Sequence, residues 1–493
     1  MRADAVIADG LPLLEATVLW SALLAPLPMG MLAWRFPPQR IATVLLIAML
    51  LLPASLWLLH RVAVGGELQG AGSLGGLLLH WRMDALAGLL LLLTQLVLLA
   101  SAAYAVCYQR VSALHQRAYA RYWPLLGGLA AALGLIWVAA DLLTLYAALE
   151  LMGLCAVGML LLLGEKSALM AGMRYLLYAL VGSLAWLLGA ALLLGASGRL
   201  DLAGLAANGA PEAVTGIAIA LLAAGLLLKA AIFPLHGWLV PVHASAWAPV
   251  SALHGALVVK ASFFILMQLW QRLVPEAVAA AWLLGGLGSL AVVWGGLQAL
   301  RTNALKQVVA WSTVGQLGYL MLAFPLLTGT SAAVATLAWQ ATWLQLAGHA
   351  LAKGAMFMAA GNLVLAAGKG GLSDLAGTSR RLPLSLMAFG LAAVSLMGLP
   401  PSAGFTAKWL LLTSAILAGQ WPWVVVLGVG TLLTAAYVFR VFRFAFVEDE
   451  HRPEVRSLPA GVDLTALLLA LAALGLGLGA EWPLALLREE GTP

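Results

Sequence analysis

Four lysines, Lys229, Lys260, Lys353 and Lys408, stand inside long apolar stretches of the sequence, and Lys306 stands at the start of one. Glu150 lies deep in another (LLTLYAALELMGLCAVGMLLLLG); Asp141 is nearer the end of that stretch, and the remaining acids fall in loops or at segment ends. Imidazoles accompany the amines: His254 precedes Lys260 by six residues, and His349 precedes Lys353 by four, which puts that pair on one helix face. A desolvated lysine can lose its proton near neutrality, whereas arginine stays charged at any accessible pH. All nineteen arginines fall in loops or near segment ends. Amines inside and guanidiniums outside is the division expected of a chain that exchanges protons.

Each residue has a plainer reading. A lysine near a helix end usually reaches back to the membrane interface, but Lys260 lies about twelve residues into its helix, and Lys408 is also interior. Glu150 could be a protonated core residue. The alternative is an ion pair with a nearby lysine, and with Lys229 as partner, separating the two would release a proton. His236 and His243 flank a proline and read as caps for freed backbone groups. Lys306 reads equally as an interface anchor or as a point where protons enter.

The elements that must position these groups are membrane spans. The chain has 493 residues, 63% hydrophobic and 9% charged, and apolar runs of about 18 residues or more recur from end to end. Residues 1–493 are expected to form one all-α polytopic membrane domain with about fourteen helices: 13–34, 41–59, 83–107, 121–139, 142–163, 172–197, 213–245 (broken), 248–271, 277–298, 304–327, 332–365 (kinked), 383–415 (broken), 422–446 and 462–484. Thirteen arginines flank the odd-numbered loops and six the others, which predicts cytoplasmic odd-numbered loops and both termini on the non-cytoplasmic side. The first apolar run lacks a signal-peptide pattern and is expected to be retained. The charged segment EDEHRPEVR (448–456) reads as a solvated turn. Cys107 and Cys155 have no metal-ligand spacing, and no phosphate loop or nucleophile elbow occurs. No metal, cofactor or nucleic-acid partner is therefore expected, and the glycine run at Gly475 to Gly479 reads as close helix packing.

Two helices should be interrupted beside a lysine. Phe233-Pro234 follows Lys229, and GLPPSAGFTAK places Pro400 and Pro401 before Lys408. Proline removes a backbone donor and clashes one turn back, so both sites should expose backbone groups near an amine. The breaks fall in helices 7 and 12. That spacing suits two inverted five-helix repeats, about 121–271 and 277–446, each with one broken helix.

Taken together, FPLHGW, APVSALHGALVVK, LKQVVAWSTVGQLGY, HALAKGAMFMAAGN and GLPPSAGFTAKW make the chain resemble the proton-conducting antiporter-like family. That family comprises the large membrane-arm subunits of respiratory complex I, the D and A subunits of Mrp-type antiporters, and related hydrogenase and inorganic-carbon complex subunits. The resemblance spans about helices 3 to 13. It implies fourteen helices, two inverted repeats and a proton route along the membrane midplane. By motif position it assigns that route to Glu150, Lys229, Lys260, His349, Lys353 and Lys408. Departures are Pro241, where the family commonly has an acid, and Gln345, where it has a histidine. Lys408 in place of glutamate disfavours one complex I paralogue, and the end of the sequence soon after helix 14 leads us to expect no long lateral helix like that of the largest.

The expected function is proton translocation within a multisubunit complex of the bacterial cytoplasmic membrane, with sodium open as an exchange ion. The route runs Glu150, Lys229, Lys260 with His254, His349, Lys353, Lys408, and Lys306 is a candidate point of proton uptake. Partners are other membrane subunits and the lipid bilayer. Two alternatives remain: a stand-alone secondary transporter using the broken helices as a substrate site, and a structural subunit whose lysines bind anionic lipid.

Overall fold

The structure is a computed structural model and describes residues 13–36, 39–74, 77–112, 115–207, 212–447 and 457–488. The 448–456 segment and Arg2, Arg452 and Arg456 of the charge count lie outside the described residues. Among the described residues, eleven helices are long and apolar enough to cross a membrane, or twelve if a pair bent by 43° at Ala25 counts as one span. Three shorter apolar helices belong to the two interrupted regions. The chain is a multi-pass, helical membrane protein.

Helix starts are fixed by short polar side chains. Asp84 accepts from Ala87 N at 2.8 Å, Asp141 from Thr144 N at 2.7 Å, and Ser402 from Phe405 N at 3.2 Å. Each satisfies one of the donors a helix N-terminus leaves open. Asp141 also accepts from His80 N at 3.0 Å. It thereby ties its helix to an antiparallel hairpin, Leu68–Leu74 with Leu77–Met83, in which Gly70 faces Trp81. The hydropathy pattern predicts helices alone. The hairpin is rich in glycine and lacks clean alternation in its first strand, so period-two patterning could not reveal it.

Both expected interruptions occur. The helix Glu212–Lys229 ends at Lys229, an irregular turn follows, and a short helix resumes at Leu239–Ser245. Pro383–Met397 and Ala403–Leu417 are separated by Gly398 to Ser402. Gly398 closes the first of these with φ +77, a conformation that suits a residue without Cβ. Ala332–Ala367 runs as one continuous helix of 36 residues. Its glycines serve packing. A Cβ at Gly361 would lie 2.4 Å from Ala248 Cβ, and one at Gly348 would lie 2.8 Å from Ala403 Cβ. At Gly477 it would lie 2.2 Å from Pro401 O, so that glycine lets the second break seat against Ala460–Leu478.

Burial separates a core from a rim. Ala248–Leu273 is enclosed along its apolar span, Leu305–Leu327 and Ala332–Ala367 nearly so, whereas Lys166–Ser197 and Trp421–Ala445 leave much of their apolar surface open. The enclosed helices carry Lys260, Lys306 and Lys353. An outward-facing apolar rim around polar side chains is the arrangement a bilayer imposes.

Candidate functional site

The first break brings an acid and an amine together. Lys229 Nζ donates to Glu150 Oε1 at 2.9 Å, and Ser183 Oγ donates to the same oxygen. Two glycines make this possible. A Cβ on Gly225 would come within 2.5 Å of Gly182 O, so Lys166–Ser197 and Glu212–Lys229 approach at backbone distance. Ser183 and Lys229 then share one carboxylate. Lys229 is buried, while the Glu150 side chain is 33% exposed, so the acid stands at the edge of the bundle.

Lys260 lies at the centre of Ala248–Leu273. A wide π turn, His254–Val258, precedes it and loosens the carbonyl ladder, and Lys260 Nζ donates to Gly255 O. His254 begins that turn. Its ring lies 6.5 Å from the ring of His243 and 6.5 Å from that of Tyr175. His243 stacks on Phe357 at 4.3 Å and lies within electrostatic reach of His254, Lys306, Lys353 and Lys260. Spacing alone reads His243 as a cap, because the helix break hides its relation to the other groups. In the fold it is completely buried among them. His236 stays apart, against Phe233 and Trp311. Lys306 donates to Ala246 O, beside the short helix that carries His243.

His349 is the middle of the arrangement, within electrostatic reach of Lys260, Lys353 and Lys408. Lys353 Nζ donates to Val309 O at 2.8 Å and to Ser312 Oγ. At the second break Lys408 Nζ donates to Leu396 O at 2.8 Å and Met397 O at 3.3 Å, and lies 4.5 Å over the Tyr319 ring. The ring quadrupole and the C-terminal carbonyls of a half-helix both favour a cation there. Between Lys353 and Lys408 stand two amides: Gln345 Nε2 donates to Gln316 Oε1 at 3.0 Å, and Gln316 Nε2 to Leu396 O at 3.0 Å. Ser183, Ser312, Gln316 and Tyr319 carry no signal in the sequence, since single hydroxyls and amides are common in membrane helices.

Among the described residues, Lys260, Lys353 and Lys408 form no ion pair. Both ring nitrogens of His243, His254 and His349 lack a hydrogen bond of good geometry within the protein. Buried polar atoms of this kind are normally satisfied by ordered water. No group of three metal-ligating side chains occurs among the described residues. The set offers amines, imidazoles and one carboxylate, which is chemistry for moving protons rather than bonds.

Fold and site together define a polytopic membrane protein of the ion-translocating kind. The chain belongs to the family described as NADH:quinone oxidoreductase/Mrp antiporter, transmembrane, which matches residues 139–434. It is 33% identical to the N subunit of NADH-quinone oxidoreductase of Desulforudis audaxviator over 418 residues, covering 80% of this chain and 81% of the relative. It is 27% identical to the D subunit of the Na(+)/H(+) antiporter of Bacillus subtilis, covering 81% of this chain and 80% of that one. A chain of the Mrp complex from Dietzia sp. DQ12-45-1b superposes with a TM-score of 0.86 at 24% identity, covering 97% of each chain.

Proposed function

We propose that this chain is a proton-translocating subunit of a multisubunit complex in the bacterial cytoplasmic membrane, with both termini on the non-cytoplasmic side. The observation that carries the reading is the buried row of amines that begins at the Glu150–Lys229 pair and continues through Lys260 and Lys353 to Lys408 with no other carboxylate paired to it among the described residues. A charge at the bilayer centre costs about 3 kcal/mol on insertion scales. One charge-assisted hydrogen bond returns about 1.5–3 kcal/mol. The two nearly cancel, so each site can hold or release a proton when a neighbour changes.

In this reading, opening the Glu150–Lys229 pair withdraws the carboxylate that holds the ammonium, and Lys229 gives up its proton. The proton passes His254 and Lys260 to His349 and Lys353, and leaves through Lys408. Lys306 admits protons from the side of His243. Residues 121–271 and 277–446 act as inverted repeats, each with one helix broken beside a lysine. The driving reaction resides in partner subunits, and sodium is a candidate exchange ion.

The test is proton flux in liposomes containing the intact complex with Lys229→Ala or Lys408→Ala. Flux should fall by about a hundredfold in each, the scale of a lost proton-transfer group. Wild-type flux in both would overturn the route.

A further inference from the structure

The amides Gln345 and Gln316 stand where a proton must cross from Lys353 to Lys408, and an amide does not take up and release protons as an imidazole does. Beside them the structure holds an alternative. A cavity of about 10 Å³ is lined by Ser312, Gln316, Tyr319, Thr434 and Tyr437, with Val292 and glycines completing its wall. Each of these five side chains is at least nine-tenths buried. The volume is the least that admits one water, and a buried water needs two to four polar partners. Tyr437 lines the cavity together with Ser312, Gln316 and Thr434. The Tyr319 hydroxyl, 1% exposed, makes no hydrogen bond of good geometry although Thr431 and Thr434 are beside it. Thr434 Oγ1 directs its own proton to Gly430 O at 2.7 Å. A buried hydroxyl left this way is unfavourable, and a water in the cavity would satisfy it.

The lining also touches both lysines. Ser312 Oγ accepts from Lys353 Nζ, and the Tyr319 ring lies under Lys408 Nζ at 4.5 Å. We propose that the cavity is a water site, and that Ser312, this water and the Tyr437 and Tyr319 hydroxyls carry protons from Lys353 toward Lys408 around the amide pair. Each oxygen accepts one proton and donates one; Ser312 Oγ, whose proton rests on Val309 O at 2.8 Å, turns it toward the water for the transfer. Lys353 ends neutral, Lys408 ends charged, and the hydroxyls are regenerated with their hydrogen bonds reversed. The last gap, from the Tyr319 hydroxyl to Nζ, is closed by a swing of the flexible Lys408 side chain. Tyr437 brings a residue of Trp421–Ala445 into the route, a helix otherwise free of buried ionisable groups in the site.

This inference rests on the proton route proposed above, and the experiment separates the two. The intact complex in liposomes is assayed for proton flux with Ser312→Ala, Ser312→Thr, Tyr437→Phe and Lys408→Ala, with assembly checked on native gels. Ser312→Ala and Tyr437→Phe should each slow flux about tenfold, the lower range for a lost proton-transfer group. Ser312→Thr, which keeps the hydroxyl, should recover most of it. Flux abolished by Lys408→Ala but unchanged in both hydroxyl variants would overturn the relay and leave the wider route standing. Flux surviving Lys408→Ala would overturn both. Should a variant fail to assemble, an experimental map of the wild-type complex decides. Water density between Ser312 and Tyr437 supports the site, and its absence from a map that shows other buried waters overturns it.

Discussion

The two broken helices solve one problem in different ways. At the first break Lys229 is the last residue of its own half-helix, so the negative end of that helix dipole lies beneath it, and a carboxylate from another helix completes its surroundings. At the second break Lys408 sits on the later half-helix and reaches back to Leu396 O and Met397 O, the final carbonyls of the earlier one, with an aromatic face in place of the acid. Both amines therefore rest on a helix C-terminus exposed by proline. They differ in that one is paired with a carboxylate and the other has only fixed dipoles. In the proposed route the carboxylate would be the switch, and the fixed dipoles would suit a terminus that returns to the same state each cycle.

The comparison can be broken most severely at the acid. Glu150→Ala should reduce proton flux by about a hundredfold, because no other described carboxylate pairs with Lys229. Glu150→Gln tests the same point more finely, since it keeps an acceptor for Ser183 but removes the charge, and flux should fall nearly as far. Recovery to wild-type flux in the glutamine variant would show that the pair acts by hydrogen bonding rather than by charge.

A smaller effect tests how the first break is assembled. Gly225→Leu forces apart the two helices that meet at Gly182, where even a Cβ would lie 2.5 Å from a carbonyl oxygen. Overpacking of this kind costs about 1–3 kcal/mol, read as a lowered thermal midpoint in detergent together with lost flux. Its counterpart is Gly398→Ala, which combines φ +77 with a Cβ 2.7 Å from Lys408 Cδ. It should cost about 1–2 kcal/mol and impair Lys408 without disturbing Glu150.

The smallest effect on transport is expected at Asp141. This acid accepts from Thr144 N, Thr144 Oγ1 and His80 N, and so anchors a helix start to the hairpin. Asp141→Ala should lower stability by about 0.5–2 kcal/mol while the assembled complex keeps its flux. A large loss of flux at unchanged stability would mean that a second acid belongs to the route.

Much of this was legible in the sequence for physical reasons. Proline beside an intramembrane lysine located both breaks, because no bilayer-exposed helix tolerates that combination cheaply. Of the two readings open for Glu150, a protonated core residue or the partner of a nearby lysine, the structure shows the second, with Lys229. What stayed hidden depends on how helices meet. Ser183 joins the ion pair only because Gly182 and Gly225 touch, and His243 enters the cluster only after the chain has turned at Pro234. Nor does spacing show that glycines in the helix of His349 and Lys353 receive neighbouring side chains. The hairpin left no periodic trace at all.

The central claim is that the two breaks lie on one path, and a double-variant cycle tests it directly. Proton flux of the reconstituted complex is measured for Glu150→Gln, Lys408→Gln and both together. Steps in series predict a double variant about as slow as the slower single variant. Single variants that each lose only part of the flux, with the two partial losses summing in the double variant, would contradict the account, because Glu150 and Lys408 would then serve separate routes.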